Sequence, residues 1–382
     1  MNEACIYQDG FGQSFGQEAP FLQFLREREE HACWDKEPSS GLRFEALEEG
    51  SVVTQLLKDN YVLSGKEGIL TDTMENTRLL LRAKEKCYPV RGCAVRTILS
   101  RACISGSALS KLDKPVLAEV LNHCMKKAKG DALLRIADEK VSAVHGGDDS
   151  DYAVLPIPEL FEHTAEYLKV KFKGSTYAGG WYDHTMVTAL WELPANEKML
   201  GSYQSALAAH GKTADDLSPA LRLTTSDVGI SGANLYPMLF KGENSRMLTL
   251  GNPLKLSHEN GADLDQFDDK LKMIFSQYSY GLKKLADLLE IEIQYPENTL
   301  LGVMKQITIP KKLALPAVDL FKAQYGGTSC TAHDLYYAIS EILFMLQCDG
   351  ASGGRIAQME ENIAKALSVK WTEFDTSVPV NW

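Results

Sequence analysis

The sequence has few of the features that assign a protein at sight. No run of 18 apolar residues occurs in its 382 positions, and the stretch Ile339 to Leu346 is broken by Ser340 and Glu341, so no membrane span is expected. The opening Met1-Asn2-Glu3-Ala4-Cys5 has neither the basic start nor the apolar core of an export signal. Eight cysteines (5, 33, 87, 93, 103, 124, 330 and 348) are few for this length, and no two stand as C-x-x-C. A zinc ribbon or a thioredoxin-type site therefore finds no support, and reduced thiols in a cytoplasm are expected. Cys87 and Cys93 read as ordinary buried or half-buried thiols. The 29 Gly and 14 Pro follow no period, which excludes collagen-like and low-complexity chains. No internal repeat is visible.

What the chain does have is a composition that folds. It is 45% hydrophobic and 24% charged, with mean hydropathy −0.19, enough to bury a sizeable core. At about 150 residues per domain its length suggests two or three domains. The net charge is 40 − 51 = −11, which argues against a surface basic all over but says nothing of local patches. Those patches exist: residues 1–77 carry 6 basic and 15 acidic side chains, net −9, and residues 78–129 carry 12 and 3, net +9.

The first 40 residues, rich in Gly, Gln and Glu, read as a loosely structured arm with one short helix around Phe21 to Glu30. Leu133–Ile136 and Val141–Val144 form a hairpin pattern across Asp138-Glu139-Lys140. A helix follows, opened by Pro156 and Pro158. Thr176 to Leu193 reads as strands bent at Gly179-Gly180, and further strands are expected at 221–225, 235–240 and 247–256. Helices and strands do not alternate regularly, which predicts an α+β fold with a mainly antiparallel sheet, helices packed on one side, and a helical C-terminal third. There Leu264 to Leu289 steps by threes and fours over about 26 residues, Asp263 heads a capping-box pattern with Gln266, Thr331-x-x-Asp334 opens another helix, and Ile356 to Leu367 marks a last one. The expected organisation is an acidic arm (1–77), a basic helical block with a sheet core (78–260), and a helical region (261–382).

Several motif look-alikes fail on context. Ala206 to Thr213 fits a relaxed phosphate-loop pattern, but Tyr203 to His210 reads as a helix where a strand is needed, and Gly211 reads as a helix C-cap. Gly350-Ala351-Ser352-Gly353-Gly354 fits the nucleophile elbow, yet a helix precedes it and no His follows. A calcium loop from Asp148 through Asp149 places Glu159 at position twelve but Tyr152 and Ala153 where a ligand and a Gly are required. Asp183 and His184 are neighbours in a strand pattern and so point to opposite faces. No catalytic constellation, metal site or cofactor is predicted; His145, His163 and His184 are the titratable groups to inspect for one.

The basic block is the main functional signal. Arg78, Arg82, Lys84, Lys86, Arg91, Arg96 and Arg101 oppose a single acid, Glu85, and Lys126, Lys127 and Lys129 close the block. Lys169, Lys171 and Lys173 alternate, as on one face of a strand, shortly before Tyr177, Trp181, Tyr182 and Trp191. Cations that track phosphates beside aromatic faces that stack on bases suit single-stranded nucleic acid, whereas charged helix faces are commonly just solvated and strand aromatics commonly fill cores.

Leu221 to Phe240, LRLTTSDVGISGANLYPMLF, resembles a segment of a phage- and plasmid-borne protein family of unknown function, in which a Ser-Asp/Glu-Val-Gly stretch precedes a strand ending in aromatic residues. Leu134 to Pro156 is similar to that family's hairpin and following step, and Gly327 to Ser340 to its Thr-x-x-x-Leu-Tyr-x-Ala helix start. The likeness spans about residues 131–367 and departs after Phe240, where Lys241-Gly242-Glu243-Asn244 replaces an Arg and a Cys-Thr-Asn-Gly-like step. It implies a mobile-element setting and no catalytic residue. The sequence reading is thus a non-enzymatic cytoplasmic protein that binds single-stranded nucleic acid as an annealing-type oligomer. The alternatives are a counter-defence factor gripping a host protein and an enzyme of unrecognised type.

Overall fold

The computed structural model describes residues 6–148, 150–195, 197–212, 217–241, 246–326, 330–351 and 353–382. Asp149 of the calcium-loop pattern, Thr213 of the phosphate-loop pattern, Ser352 of the elbow pattern, and Gly242–Asn244 and Gly327–Ser329 of the family likeness lie outside the described residues, as do Met1–Cys5.

A seven-stranded antiparallel sheet organises the larger part of the chain. Its order is β1 (Gly12–Phe15), β8 (Thr176–Asp183), β9 (Val187–Glu192), β10 (Leu217–Thr225), β11 (Ala233–Lys241) and β12 (Arg246–Thr249), with β13 (Leu254–Leu256) also paired to β11. Strand alternation explains the two faces of β10. Leu217, Leu221 and Leu223 point into the main core, while Ala220, Arg222 and Thr224 point to the opposite side, where Ala220, Tyr236 and Met238 make a small second cluster. The bend expected at Gly179-Gly180 is present as a register shift between Tyr177 and Gly179.

Two three-stranded antiparallel sheets form a neighbouring layer: β2 (Ala32–Pro38) with β6 (Asp131–Ala137) and β7 (Lys140–Gly146), and β3 (Arg43–Ala46) with β4 (Leu79–Ala83) and β5 (Lys86–Pro89). Their core holds Leu81, Val90, Ile98, Leu121, Leu134 and Val144, all buried. The first 40 residues are therefore not a loose arm. β1 extends the large sheet, β2 extends the hairpin sheet, and α1 (Glu18–Glu30) buries Phe21, Phe24 and Leu25 between them. Of the acids that dominate this segment's composition, Glu37 is buried and Asp9 joins an internal cluster with Lys140, while Glu18 binds Lys169 at 2.6 Å. The basic block is likewise only half helical, since β4 and β5 are a hairpin across Lys84 and Glu85.

Helices cover both layers: α2 (Val52–Leu63), α3 (Gly68–Glu75), α4 (Ala94–Arg101) and α5 (Lys114–Met125) on the small sheets, and α6 (Ile157–Lys171) and α7 (Glu197–Ala209) on the large one. The last third is helical as expected, apart from the two-residue strands β14 (Glu292–Ile293) and β15 (Cys330–Thr331): α8 (Leu264–Lys272), α9 (Ile274–Asp287), α10 (Pro296–Gln306), α11 (Lys311–Tyr325), α12 (Ala332–Cys348) and α13 (Gly353–Lys365). The stripe from Leu264 to Leu289 is two helices joined at the half-exposed Met273. Both caps form: the Asp263 carboxylate accepts from Gln266 N–H at 2.9 Å, and Thr331 and Asp334 make a reciprocal capping box. Helix α13 qualifies the one-sided packing, because it contributes Met359 and Ile363 to the main core and Glu360 and Glu361 to side chains of the second face. No helix among the described residues is long and apolar enough to cross a membrane.

Candidate functional site

Where the small-sheet layer meets the large sheet and α13, a polar cleft of about 530 Å³ opens, within the usual range of ligand sites. One wall is the α4 face with Arg96, Thr97 and Ser100, continued by His145 at the end of β7, Asp151 and Tyr152. The other wall is the turn Gly229–Gly232, then Asn234 and Tyr236 of β11, and Lys255, Ser257, His258 and Glu259 around β13. Gln358 and Glu361 of α13 close the end. Glu361 accepts from the Tyr236 hydroxyl at 3.3 Å and pairs with Lys255 at 2.6 Å, so these three side chains hold one another. A second concavity of about 270 Å³ shares Thr97, Ser100, His145 and Asp151 with the cleft and continues it to Arg101. The two make one groove along α4.

Three parallel rings form the inner wall. Tyr152 lies between His145 (centroids 3.7 Å apart, 9° between planes) and His258 (5.0 Å, 3°). Carbonyl oxygens only accept, so they fix both tautomers. His145 donates from Nε2 to the main-chain oxygen of Asp227 at 2.8 Å, and His258 donates from Nδ1 to that of Ala153 at 3.1 Å. Burial, and for His145 also the neighbouring His258, favours the neutral rings: His145 is pushed down to about 4, and His258 is lowered. The cleft thus meets His145 with its proton held on Nε2 by the 225–232 loop.

That loop is the Ser-Asp-Val-Gly segment of the sequence. The Ser226 hydroxyl donates to Thr185 at 2.6 Å and accepts from Val228 N–H at 3.2 Å. The Asp227 carboxylate meets Arg135 at 3.2 Å, and burial raises its pKa to about 6 against the pull of Arg135. Gly229 has φ +73 and lies so near His145 that a Cβ there would come within 3.4 Å of Cε1. A Cβ on Gly232 would collide with the carbonyl oxygen of Leu256. Gly232→Ala is accordingly expected to force β13 away from β11 and to cost about 1–3 kcal/mol in urea unfolding; an unchanged midpoint would show that the backbone yields freely.

The thirteen candidate cations separate into four groups. Arg91 is a core residue at 1% exposure: its guanidinium donates to the Tyr7 oxygen at 3.1 Å and faces Asp9 and Asp138, each at 3.7 Å. It belongs to a buried cluster in which Lys140 binds Asp9 and Asp72, and Arg28 binds Asp138. A nucleic-acid strand cannot reach it, because the buried cation is enclosed with carboxylates from two distant segments, Asp9 and Asp138. Arg82 pairs with Glu45 at 3.0 Å, Lys84 with Glu37, and Lys169 with Glu18. Arg78 and Arg101 donate to main-chain oxygens, of Met74 at 2.9 Å and of Asp131 at 3.0 Å. Among the described residues, Lys86, Arg96, Lys126, Lys127, Lys129, Lys171 and Lys173 are exposed and make no ion pair. Lys169 and Lys171 end α6 and do not alternate along a strand.

The stacking candidates are mostly occupied. Tyr177 packs on Phe21 and Trp191, and Tyr182 on Phe24 edge-on at 5.1 Å. Trp191 is buried and donates to Glu18. Trp181 alone of these is exposed, at 40%, with its indole N–H given to Asp183 at 3.1 Å and its ring against Gly12. Adjacent aromatic residues on an antiparallel strand alternate between core and solvent, which separates Tyr182 from Trp181.

Of the histidines singled out, only His145 reaches the cleft. His163 faces Asp268 at 3.0 Å on the surface, and His184 is held by the Gln8 oxygen at 3.0 Å. Asp183 caps its own turn by accepting from Thr185 and Met186. His258, Asn234 and Glu361 were not legible as site residues, because nothing in their spacing links three distant segments. Gly211 and Gly350, with φ +67 and +66, follow the ends of α7 and α12 in the left-handed conformation. Among the described residues no cluster of three or more His, Cys, Asp or Glu could hold a metal ion.

The chain matches no family model, curated protein or solved structure with which it was compared.

Proposed function

We propose that the chain binds single-stranded nucleic acid along the α4 groove. The observation that carries this reading is the continuity of the groove with unpaired cations. Arg96 stands at the cleft, Arg101 at the far end of the same short helix, and the Arg101 guanidinium touches the Lys129 main chain beyond the groove's outer end, with Lys126 and Lys127 just before it in the chain. Eight helical residues at about 1.5 Å each span roughly 12 Å, the reach of two or three nucleotides. Phosphates would follow the cations, and one base would enter the polar cleft, where Asn234, Ser231 and Gln358 offer donors and acceptors. Few free aromatic faces line the path, so backbone charge rather than stacking would supply the affinity. The phage or plasmid setting implied by the family likeness suits a cytoplasmic protein that handles single strands. Asp151, Glu259 and Glu361 also line the cleft, so binding would rest on the cations of the α4 side, and many of the chain's other acids are already paired to cations.

Fluorescence anisotropy with a labelled single-stranded oligonucleotide tests this. Reversing Arg96, Lys127 and Lys129 together to Glu should weaken binding at least about 100-fold at low salt and reduce the salt slope by about 2, from roughly 0.7 per phosphate contact. Lys171→Glu with Lys173→Glu should leave it nearly unchanged. Absence of binding at low salt, or equal loss from both sets, would overturn the reading.

A further inference from the structure

We propose that Lys140 and Asp72 condense into an intramolecular amide, with Asp9 carrying the proton. The proposal does not rest on the nucleic-acid reading. Lysine is among the residues least often fully buried, yet Lys140, at the start of β7, is 0% exposed. Its Nζ lies between two carboxylates, 2.5 Å from Asp72 Oδ2 on α3 and 2.8 Å from Asp9 Oδ1 in the N-terminal segment. Both carboxylate side chains are only 10% exposed, so the three groups are enclosed together. Arg91 faces Asp9 and Asp138, and Arg28 binds Asp138, which sets three cations against three carboxylates. A buried ion pair keeps a desolvation cost that its attraction offsets only in part. Condensation removes one charge of each sign, leaves the cluster neutral and puts an uncharged amide in place of the pair.

The two carboxylates are not equivalent. Asp72 receives fixed donors: the Asp9 main-chain N–H at 3.1 Å from Oδ1 and 3.2 Å from Oδ2, and the Asn76 amide at 3.1 Å from Oδ1. Donors held in place stabilise the charge that develops on a carboxyl oxygen under attack. Asp72 is therefore the acceptor, and its Oδ1 becomes the amide oxygen. Asp9 is held by the Gly92 N–H at 2.5 Å on Oδ2, with Oδ1 turned to Nζ, where it can take up a proton. In the step, Nζ gives a proton to Asp9 and bonds through its lone pair to Asp72 Cγ. The bond from Cγ to Oδ2 then breaks. Two of the three ammonium protons, one of them returned by Asp9, leave with Oδ2 as water, and the third stays on the amide. Nothing is oxidised or reduced, and no co-reactant is needed. Holding amine, acceptor and proton carrier together supplies the effective concentration that this condensation lacks between free groups in water.

Intact-mass spectrometry of the purified full chain, after prolonged incubation at neutral pH, is the test. The expected mass is about 18 Da, one water, below that of the sequence. Trypsin does not cut after an acylated lysine, so the digest should contain residues 67–78 joined to residues 136–169. That branched peptide separates the amide from a succinimide at Asp9-Gly10, which loses the same water. Lys140→Arg and Asp72→Ala should each restore the full mass, and Asp9→Asn should leave the chain unlinked with an unchanged circular dichroism spectrum. A wild-type chain at the full sequence mass that trypsin cuts after Lys140 would overturn the proposal, whatever the variants do. A branched peptide that persists undiminished in folded Asp9→Asn would overturn the role given to Asp9, and one joined through another carboxyl would overturn that given to Asp72.

Discussion

Glu360→Ala is expected to lower the unfolding free energy by about 3–5 kcal/mol, the usual cost of stranding one partner of a buried ion pair. Glu360 is fully buried on α13, and both its oxygens meet the Arg222 guanidinium from β10. The Arg222 guanidinium also lies 4.4 Å from the centre of the Tyr236 ring, and its Nε has no acceptor. Removing the carboxylate leaves a buried cation with one face on an aromatic ring and no counter-charge. Replacing both partners, Arg222→Met with Glu360→Leu, should recover most of the loss, since two apolar side chains of similar volume need no desolvated charge. Urea unfolding followed by tryptophan fluorescence reads both. Equal losses for the single and double variants would mean that packing, not charge, holds α13 to the second face. The same contacts stand beside Tyr236 and Glu361 at the cleft, so the single variant should also loosen the cleft's closed end.

Acidification is expected to destabilise the protein between about pH 6.5 and 4, with His145 alone worth about 3 kcal/mol over that interval. A histidine whose folded pKa is depressed contributes stability above its unfolded pKa, near 6.5, and loses it as the pH falls through the folded value, here about 4. His258 and His184 are lowered too and act in the same direction. Asp227 opposes them. Its folded pKa is raised to about 6, so the folded state takes up a proton before the unfolded chain does, and stability rises as the pH falls from about 6 towards 4. With three histidines against one carboxyl, the net change is a loss. His145→Gln, which keeps a donor for the Asp227 main-chain oxygen, should flatten the profile, and Asp227→Asn should steepen it. Stability measured by urea titration across pH 7 to 4 checks the slopes rather than the absolute values. A wild-type profile that rises towards pH 4 would show that Asp227 dominates.

The sequence carried the local structure well. The hairpin at 131–146, the Pro-opened α6, the Gly-bent strands and both caps of the C-terminal third were legible, because each is set by neighbours within a few positions. The N-terminal segment was misread for the converse reason. Phe21, Phe24 and Leu25 bury against residues more than a hundred positions away, and the acids around them hid that pattern. The candidate cations were found as a list but could not be sorted. Arg91 and Arg96 are five residues apart in one basic run, yet one is enclosed by Asp9 and Asp138 and the other faces open cleft.

What the sequence determined alone is the fold class, the absence of a membrane-spanning helix among the described residues, and the dismissal of the phosphate-loop, elbow and calcium-loop likenesses, all of which follow from periodicity and local context. Only the tertiary structure decided which charges remain available and where a cleft lies. Ion pairs and ring stacks here join residues such as Lys140 and Asp72, or Tyr152 and His258, that no local rule connects. Their partners are chosen by how sheets and helices pack, and burial then sets whether a side chain is a strut or a hand.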